Sequence, residues 1–223
     1  MIPLMNDNYC SIKKELQAAA VELIAVSKTK PVAAIQSLFD LGQRAFGENY
    51  VQELVEKQPQ LPNDIQWHYI GHLQSNKVKY IAPFVHTIHA VDSLKLLLEV
   101  EKQAAKHQRK INCLLQIHVA DEATKFGIAE NELDNFVNEI VAQNFQFVVI
   151  AGLMGMATNT TDEQKINAEF ATIKMWFDKL KEKHFNQNNS FSQISMGMSS
   201  DYQLAIKNGS TMVRIGSLLF GER

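Results

Sequence analysis

Short apolar runs alternate along this chain with longer segments whose apolar residues recur every three or four positions, the periods of strands and of amphipathic helices. Ile12, Leu16, Ala19 and Ala20 share one face of an opening helix. Residues 23–28 follow as a strand, and Val32, Ile35, Leu38 and Phe39 line a helix that ends at Gly42. Residues 44–48 form a second strand, with a helix from Asn49 that stops before Pro59. Residues 67–71 read as the third strand, a short helix opens at Ser75, and residues 86–91 read as the fourth strand, closed by Asp92-Ser93 as a helix cap. Strands over 112–119 and 147–154 follow, separated by a helix with Leu133, Phe136, Val137, Ile140 and Val141 inward. Thr161-Asp162-Glu163-Gln164 and Ser200-Asp201-Tyr202-Gln203 have the form of capping boxes, and residues 192–198 and 212–216 are the last two strands.

Eight strand and helix units within 223 residues, with no connection long enough for another domain, predict an α/β fold: a single (β/α)8 barrel over residues 1–223. A doubly wound open sheet is the alternative. A hydrophobic content of 46% supports one sizeable core. Barrels carry their chemistry at the carboxyl ends of the strands, which here are Lys28, Glu48-Asn49, Gly71-His72, Asp92, His118, Met154, Met198-Ser199 and Arg214 to Gly216.

The charge balance narrows the partners. Twenty-two basic against 24 acidic residues give a net charge of -2, so no general field attracts nucleic acid or an anionic membrane. Cys10 and Cys113 lack a C-x-x-C spacing and suit a reducing compartment. The first eleven residues show no basic stretch followed by an apolar one, and no apolar run approaches about 18 residues, so the chain reads as a soluble cytoplasmic protein.

Lys28 closes an apolar strand and shares the parity of Ile24 and Val26, which puts its amine at the rim of an apolar interior. Desolvation there favours a neutral amine able to attack an aldehyde; the plainer alternative is a lysine that ends a strand and reaches water. Arg214 shares the face of Met212 and points to the same mouth, unless it is spent on a salt bridge, with Glu48 for instance. Ser199-Ser200 at a helix start offers hydroxyls and backbone N–H groups to an anion, or is an ordinary cap, and Gly216 permits close backbone approach. Asn49 reads as a possible cap, and Gly152-Leu153-Met154-Gly155-Met156 either packs under a flat ring or is core and turn. Metal chemistry competes weakly. His68 and His72 stand about 13 Å apart if both lie on a strand, and His86-x-x-His89 is equally unsuited to one ion. Signature loops of hydrolases, nucleotide triphosphatases and dinucleotide enzymes are absent from the sequence.

Five stretches carry a family resemblance: Ala25-Val26-Ser27-Lys28-Thr29-Lys30-Pro31, Phe46-Gly47-Glu48-Asn49-Tyr50, residues 68–77, Ser195-Met196-Gly197-Met198-Ser199-Ser200-Asp201, and residues 209–217. Together they resemble the pyridoxal phosphate homeostasis proteins, in order, from near residue 20 to the end. The resemblance implies a barrel like the amino-terminal domain of alanine racemase, with pyridoxal 5'-phosphate held on Lys28 as a Schiff base. It implies Arg214 beside the pyridine nitrogen, Asn49 near the ring oxygen, and Ser199, Ser200, Gly216 and Ser217 around the phosphate. Further implications are a monomer, a role in vitamin B6 homeostasis, and apo-enzymes as recipients of the cofactor. Two stretches depart from the pattern: His118 stands where relatives more often have Asn, and Gly155-Met156-Ala157 replaces one that often contains Pro. Residues 121–127 again resemble the family's loop. A racemase-like enzyme is the alternative function. The chain ends seven residues after Gly216, which leaves no second domain to bring a catalytic Tyr to the opposite face. An Arg near the pyridine nitrogen also weakens the ring as an electron sink, so carriage is expected over turnover.

Overall fold

Parallel strands covered on both faces need no alternation of polar residues, and the apolar runs of this chain close into such a sheet. The computed structural model describes residues 2–121 and 126–221, so residues 122–125 of the loop at 121–127 lie outside the described residues. Its strands are β1 (Glu22–Val26), β2 (Ala45–Glu48), β3 (Gln66–Tyr69), β4 (Thr87–Val91) and β5 (Ile111–His118), then β6 (Ile128–Ala129), β7 (Val148–Met154), β8 (Gln193–Met198) and β9 (Met212–Ile215). Neighbours run β4-β3-β2-β1-β9-β8-β7-β5, and β5 pairs back to β4, which closes an eight-stranded parallel barrel. The two-residue β6 adds to β5 alone, outside that ring. Among the described residues it is the one strand that the hydrophobic pattern does not predict, since two residues carry no period.

The helices form the outer wall, and α7 (Glu163–His184) illustrates why. Ile166, Phe170, Ile173, Trp176, Phe177 and Leu180 recur at three and four residues and are buried against the barrel. Each fully buried side chain of this size contributes roughly 1.5–3 kcal/mol. Asp162 is the N-cap, its carboxylate accepting the N–H of Gln164 (3.0 Å) and of Lys165 (3.2 Å), rather than Thr161 as the capping-box pattern predicts.

Inside the barrel a second, smaller cluster of Ile24, Ala45, Ala90, Leu114, Ala151, Met154 and Met212 fills the axis. Three of these seven are alanines, and the space they leave is taken by buried polar side chains that converge below the functional cavity. Three irregularities re-aim the strands toward it. The register slips between Ile88 and Val91 of β4, between Cys113 and Leu114 against β7, and between Ser195 and Met198 of β8. At the second of these, a Cβ on Gly152 would stand 1.8 Å from the Gln193 carbonyl oxygen, so only glycine lets β7 and β8 pair there.

Candidate functional site

The mouth of the barrel, at the carboxyl ends of its strands, holds a cavity of about 370 Å³, within the range of small-molecule sites. Lys28, Asn49, Ser199, Ser200, Arg214, Gly216 and Ser217 all line it, with Val26, Ile70 and Met156 as its apolar surfaces. His118 does not line it. A larger cavity of about 760 Å³ lies alongside and shares Asn49, but it holds neither Lys28 nor Arg214. The amine and the guanidinium make the smaller cavity the chemical one.

Lys28 reaches this cavity from a loop. β1 stops at Val26, two residues earlier than the apolar run suggests, because the backbone turns: the Lys30 N–H bonds the Ser27 carbonyl (3.0 Å) and Thr29 adopts a φ of +63°. Lys30 lines the same cavity, but its ammonium donates to the carbonyls of Phe220 (3.3 Å) and Gly221 (3.1 Å) at the cavity's edge. From the end of β2, Asn49 sends its side-chain oxygen into a buried position where no hydrogen-bond partner stands among the described residues. Its own carbonyl is held by the Tyr69 hydroxyl (2.9 Å) and capped closely by Gly71, where a Cβ would lie 2.3 Å from that oxygen. Tyr50, not Asn49, is the N-cap of α3 (Val51–Lys57).

The opposite wall comes from β8 and β9. Gly197, at φ +94°, bends β8 so that Met198 and Ser199 enter the mouth, and Asp201 Oδ1 accepts the Met198 N–H at 2.5 Å. The helix expected to open at Ser200 is α8 (Tyr202–Lys207), two residues later, so Ser199 and Ser200 lie in a turn. Ser199 Oγ accepts the Gly216 N–H (3.2 Å), which leaves its own O–H to donate. A Cβ on Gly216 would meet Val26 Cβ and O at 3.3 Å each, so the wall is tight.

Arg214 is 4% exposed and makes no salt bridge with Glu48. Its guanidinium donates to the Ser195 carbonyl (2.8 Å), to Ser195 Oγ (2.6 Å) and to the Gly155 carbonyl (3.1 Å). A guanidinium only donates, so Ser195 must give its O–H to His89 Nδ1 (3.0 Å). His89 therefore carries its proton on Nε2 and donates to His68 Nδ1 (2.8 Å), and His68 keeps its proton on Nε2, which has no partner among the described residues. Since β4 and β8 are not neighbours in the sheet, the His89–Ser195 bond crosses the barrel interior. Burial pushes His68 down to about 3 and His89 well below its ordinary value, with like charge from neighbouring His and Arg adding to it. Burial lowers Arg214 to about 10, which leaves it charged at neutral pH.

The chain His68, His89, Ser195 was not visible in the sequence, where the histidines were weighed as pairs within one segment. Strand parity would have put Ser195 and His68 inside, but the bulge in β4 turns both His89 and Ala90 inward and defeats parity there. Lys57 and Glu53, which reach the loop of Lys28 from α3, were equally unmarked.

The family model described as alanine racemase, N-terminal domain, matches residues 4–223. The pyridoxal phosphate homeostasis protein of Pasteurella multocida is 37% identical, over 98% of this chain and 97% of its own length. That of Haemophilus influenzae is 39% identical, over 91% and 85%. Among solved structures, PipY of Synechococcus elongatus, described with pyridoxal phosphate bound, superposes with a TM-score of 0.87 at 34% identity, covering 97% of this chain and all, 100%, of that one. Alanine racemase of Clostridium difficile shares the fold at a TM-score of 0.82 and 17% identity, with this chain covering 57% of it. By the span of the family model and these identities, the chain belongs to the alanine racemase N-terminal domain family and, within it, to the pyridoxal phosphate homeostasis proteins.

Proposed function

We propose that this protein binds pyridoxal 5'-phosphate reversibly, holds it on Lys28, and serves its homeostasis in the cytoplasm as a single-domain monomer that yields the cofactor to apo-enzymes. The observation that carries the reading is the convergence of an amine, a buried guanidinium and a Ser- and Gly-built turn on one cavity of about 370 Å³. The residues suit the group. Asn49 has a buried oxygen without a partner among the described residues, and a side chain at Gly216 would press on Val26 in the cavity wall. When bound, the cofactor supplies an aldehyde and a conjugated ring; the rest is the work of this chain. Lys28 would hold the group through its amine, to which the aldehyde would supply the carbon for a Schiff base. Arg214, held by Ser195 and Gly155, would stand toward the pyridine nitrogen and oppose its protonation through like charge. The Ser199 and Ser200 hydroxyls and the turn at Gly216-Ser217 would hold the phosphate.

The same features favour carriage over racemisation. Proton transfer on the second face needs a positioned acid, typically worth ~10²–10⁴-fold. Tyr69 is not that acid: burial pushes its hydroxyl up to about 12, and it already donates to the Asn49 carbonyl. The test is the visible absorbance of the loaded protein, before and after borohydride, with mass mapping of the reduced adduct. Lys28→Ala should lose the band and Lys30→Ala keep most of it; an adduct mapped to Lys30 would refute the assignment. Alpha-proton exchange of L- and D-amino acids in deuterated water, followed by NMR, tests the enzyme alternative. Racemisation at ordinary enzymatic rates that vanishes in Lys28→Ala would restore it.

A further inference from the structure

The residues on both sides of Lys28 are gripped by one buried ion cluster. Lys57 is 7% exposed and its ammonium has three acceptors for three protons: the Ser27 carbonyl (2.8 Å), Glu48 Oε1 (2.8 Å) and Glu53 Oε1 (2.6 Å). Glu53 Oε1 also accepts the Thr29 N–H at 2.6 Å, and Glu48 Oε1 accepts the Ser27 hydroxyl at 2.6 Å. So the carbonyl before Lys28 and the amide after it are tied to a single ammonium and carboxylate pair on α3. Between them Thr29 stands at φ +63°, a conformation that a β-branched residue avoids. The chain does not put glycine there, and the short charge-assisted bond from Thr29 to Glu53 opposes the strain. Strain of this kind persists where surrounding contacts over-determine it, and it is concentrated at functional segments.

We infer that Glu53 and Lys57 are positioning residues for Lys28: they hold the loop after β1 in a left-handed turn at Thr29 and so fix where the Lys28 amine enters the cavity. This rests on the cofactor reading above and adds to it the second role of the stretch from Phe46 onward, whose Glu48 and Glu53 face the loop of Lys28 while Asn49 faces the cavity. An ion cluster that only ties α3 to β1 would affect stability alone. A positioning cluster makes a different prediction, because its contribution passes through the backbone angle of Thr29.

The experiment uses the full chain. In Glu53→Ala the Thr29 amide, followed by hydrogen exchange in the cofactor-free protein, should lose its protection at least tenfold. Affinity for pyridoxal 5'-phosphate, read from the imine band, should fall about tenfold, and the melting temperature should fall too because the buried Lys57 ammonium loses an acceptor; the double variant with Thr29→Gly separates the two effects, since it restores the turn and not that acceptor. Glu53→Gln, which keeps an acceptor for Thr29, should retain most of the affinity. Thr29→Gly combined with Glu53→Ala should recover most of what Glu53→Ala loses, since glycine takes the left-handed turn without help. Unchanged Thr29 exchange, affinity of Glu53→Ala within twofold of wild type, or no recovery in the double variant would each overturn the inference. Absence of an imine band in the wild-type protein would instead overturn the cofactor reading itself.

Discussion

The two histidines sealed in the barrel make stability depend on acid in a calculable way. His68 and His89 are 1% and 0% exposed, bonded to each other, and tied through Ser195 to a charged Arg214. Their folded pKa values lie below the ordinary 6.5, His68 at about 3 and His89 well down, so the unfolded chain binds protons that the fold refuses. Stability is therefore full above about pH 6.5 and falls as the pH drops, until His68 itself takes a proton near 3. Each pH unit below 6.5 removes ~1.4 kcal/mol for His68. At pH 5 that is about 2 kcal/mol, against the 5–15 kcal/mol typical of a domain, and His89 adds to it in the same direction. For a chain of this length ~2 kcal/mol corresponds to roughly 4–8 °C in Tm. Glu22 and Glu48, raised by burial, act in the opposite sense lower in the range, so the clean comparison is between variants. Urea unfolding at pH 7, 6 and 5 should show the slope, and His68→Gln or His89→Gln should each lower it by about half, whatever they do to absolute stability. A slope that survives both substitutions would refute the assignment to this pair.

Gly216→Val should lower pyridoxal 5'-phosphate affinity at least tenfold and destabilise by about 1–3 kcal/mol through overpacking against Val26, whereas Gly216→Ala, whose Cβ needs only a few tenths of an ångström, should retain most of the binding; imine absorbance and thermal melts check both. Asp162→Ala removes the cap of α7 and should cost about 1 kcal/mol in urea unfolding with cofactor binding unchanged, since the cap makes no contact with the cavity.

What the sequence made legible is what local periodicity and strand parity encode. Barrel closure, the inward face of Arg214 beside Met212, and the gathering of residues from β1, β8 and β9 at one mouth follow from counting residues along apolar runs. Periodicity stops where the backbone leaves its period. Lys28 was read as the last residue of a strand, yet it sits in a loop made by a turn at Ser27 and a left-handed Thr29, neither of which a hydrophobic pattern contains. His89 was lost to a bulge. Ser200 was read as a helix start because Ser and Gln at the right spacing resemble a capping box, but Asp201 bonds back to Met198 and the helix waits until Tyr202.

The polar groups hidden by those irregularities share a logic. Arg214 must stay charged in a site that excludes water, and a buried guanidinium is costly unless its donors are used. Ser195 and Gly155 accept three bonds from it, and Ser195 Oγ can accept from Arg214 only by donating its own O–H to His89. A serine replaced by alanine would leave both the guanidinium and His89 short of a partner, so one hydroxyl both meets the arginine and sets the tautomer of the two histidines, which burial keeps neutral. Lys57 stands in the same relation to Lys28: one ammonium is fully bonded so that another, a turn away, is held in place. Lys28 sits on an irregular stretch of backbone and Arg214 on the regular strand β9, and each is flanked by a buried polar partner on a neighbouring element. Binding at this mouth should accordingly be more sensitive to Ser195, Glu53 and Lys57 than to any apolar residue of the same burial, because the apolar core fixes the barrel while these three fix where Lys28 and Arg214 point.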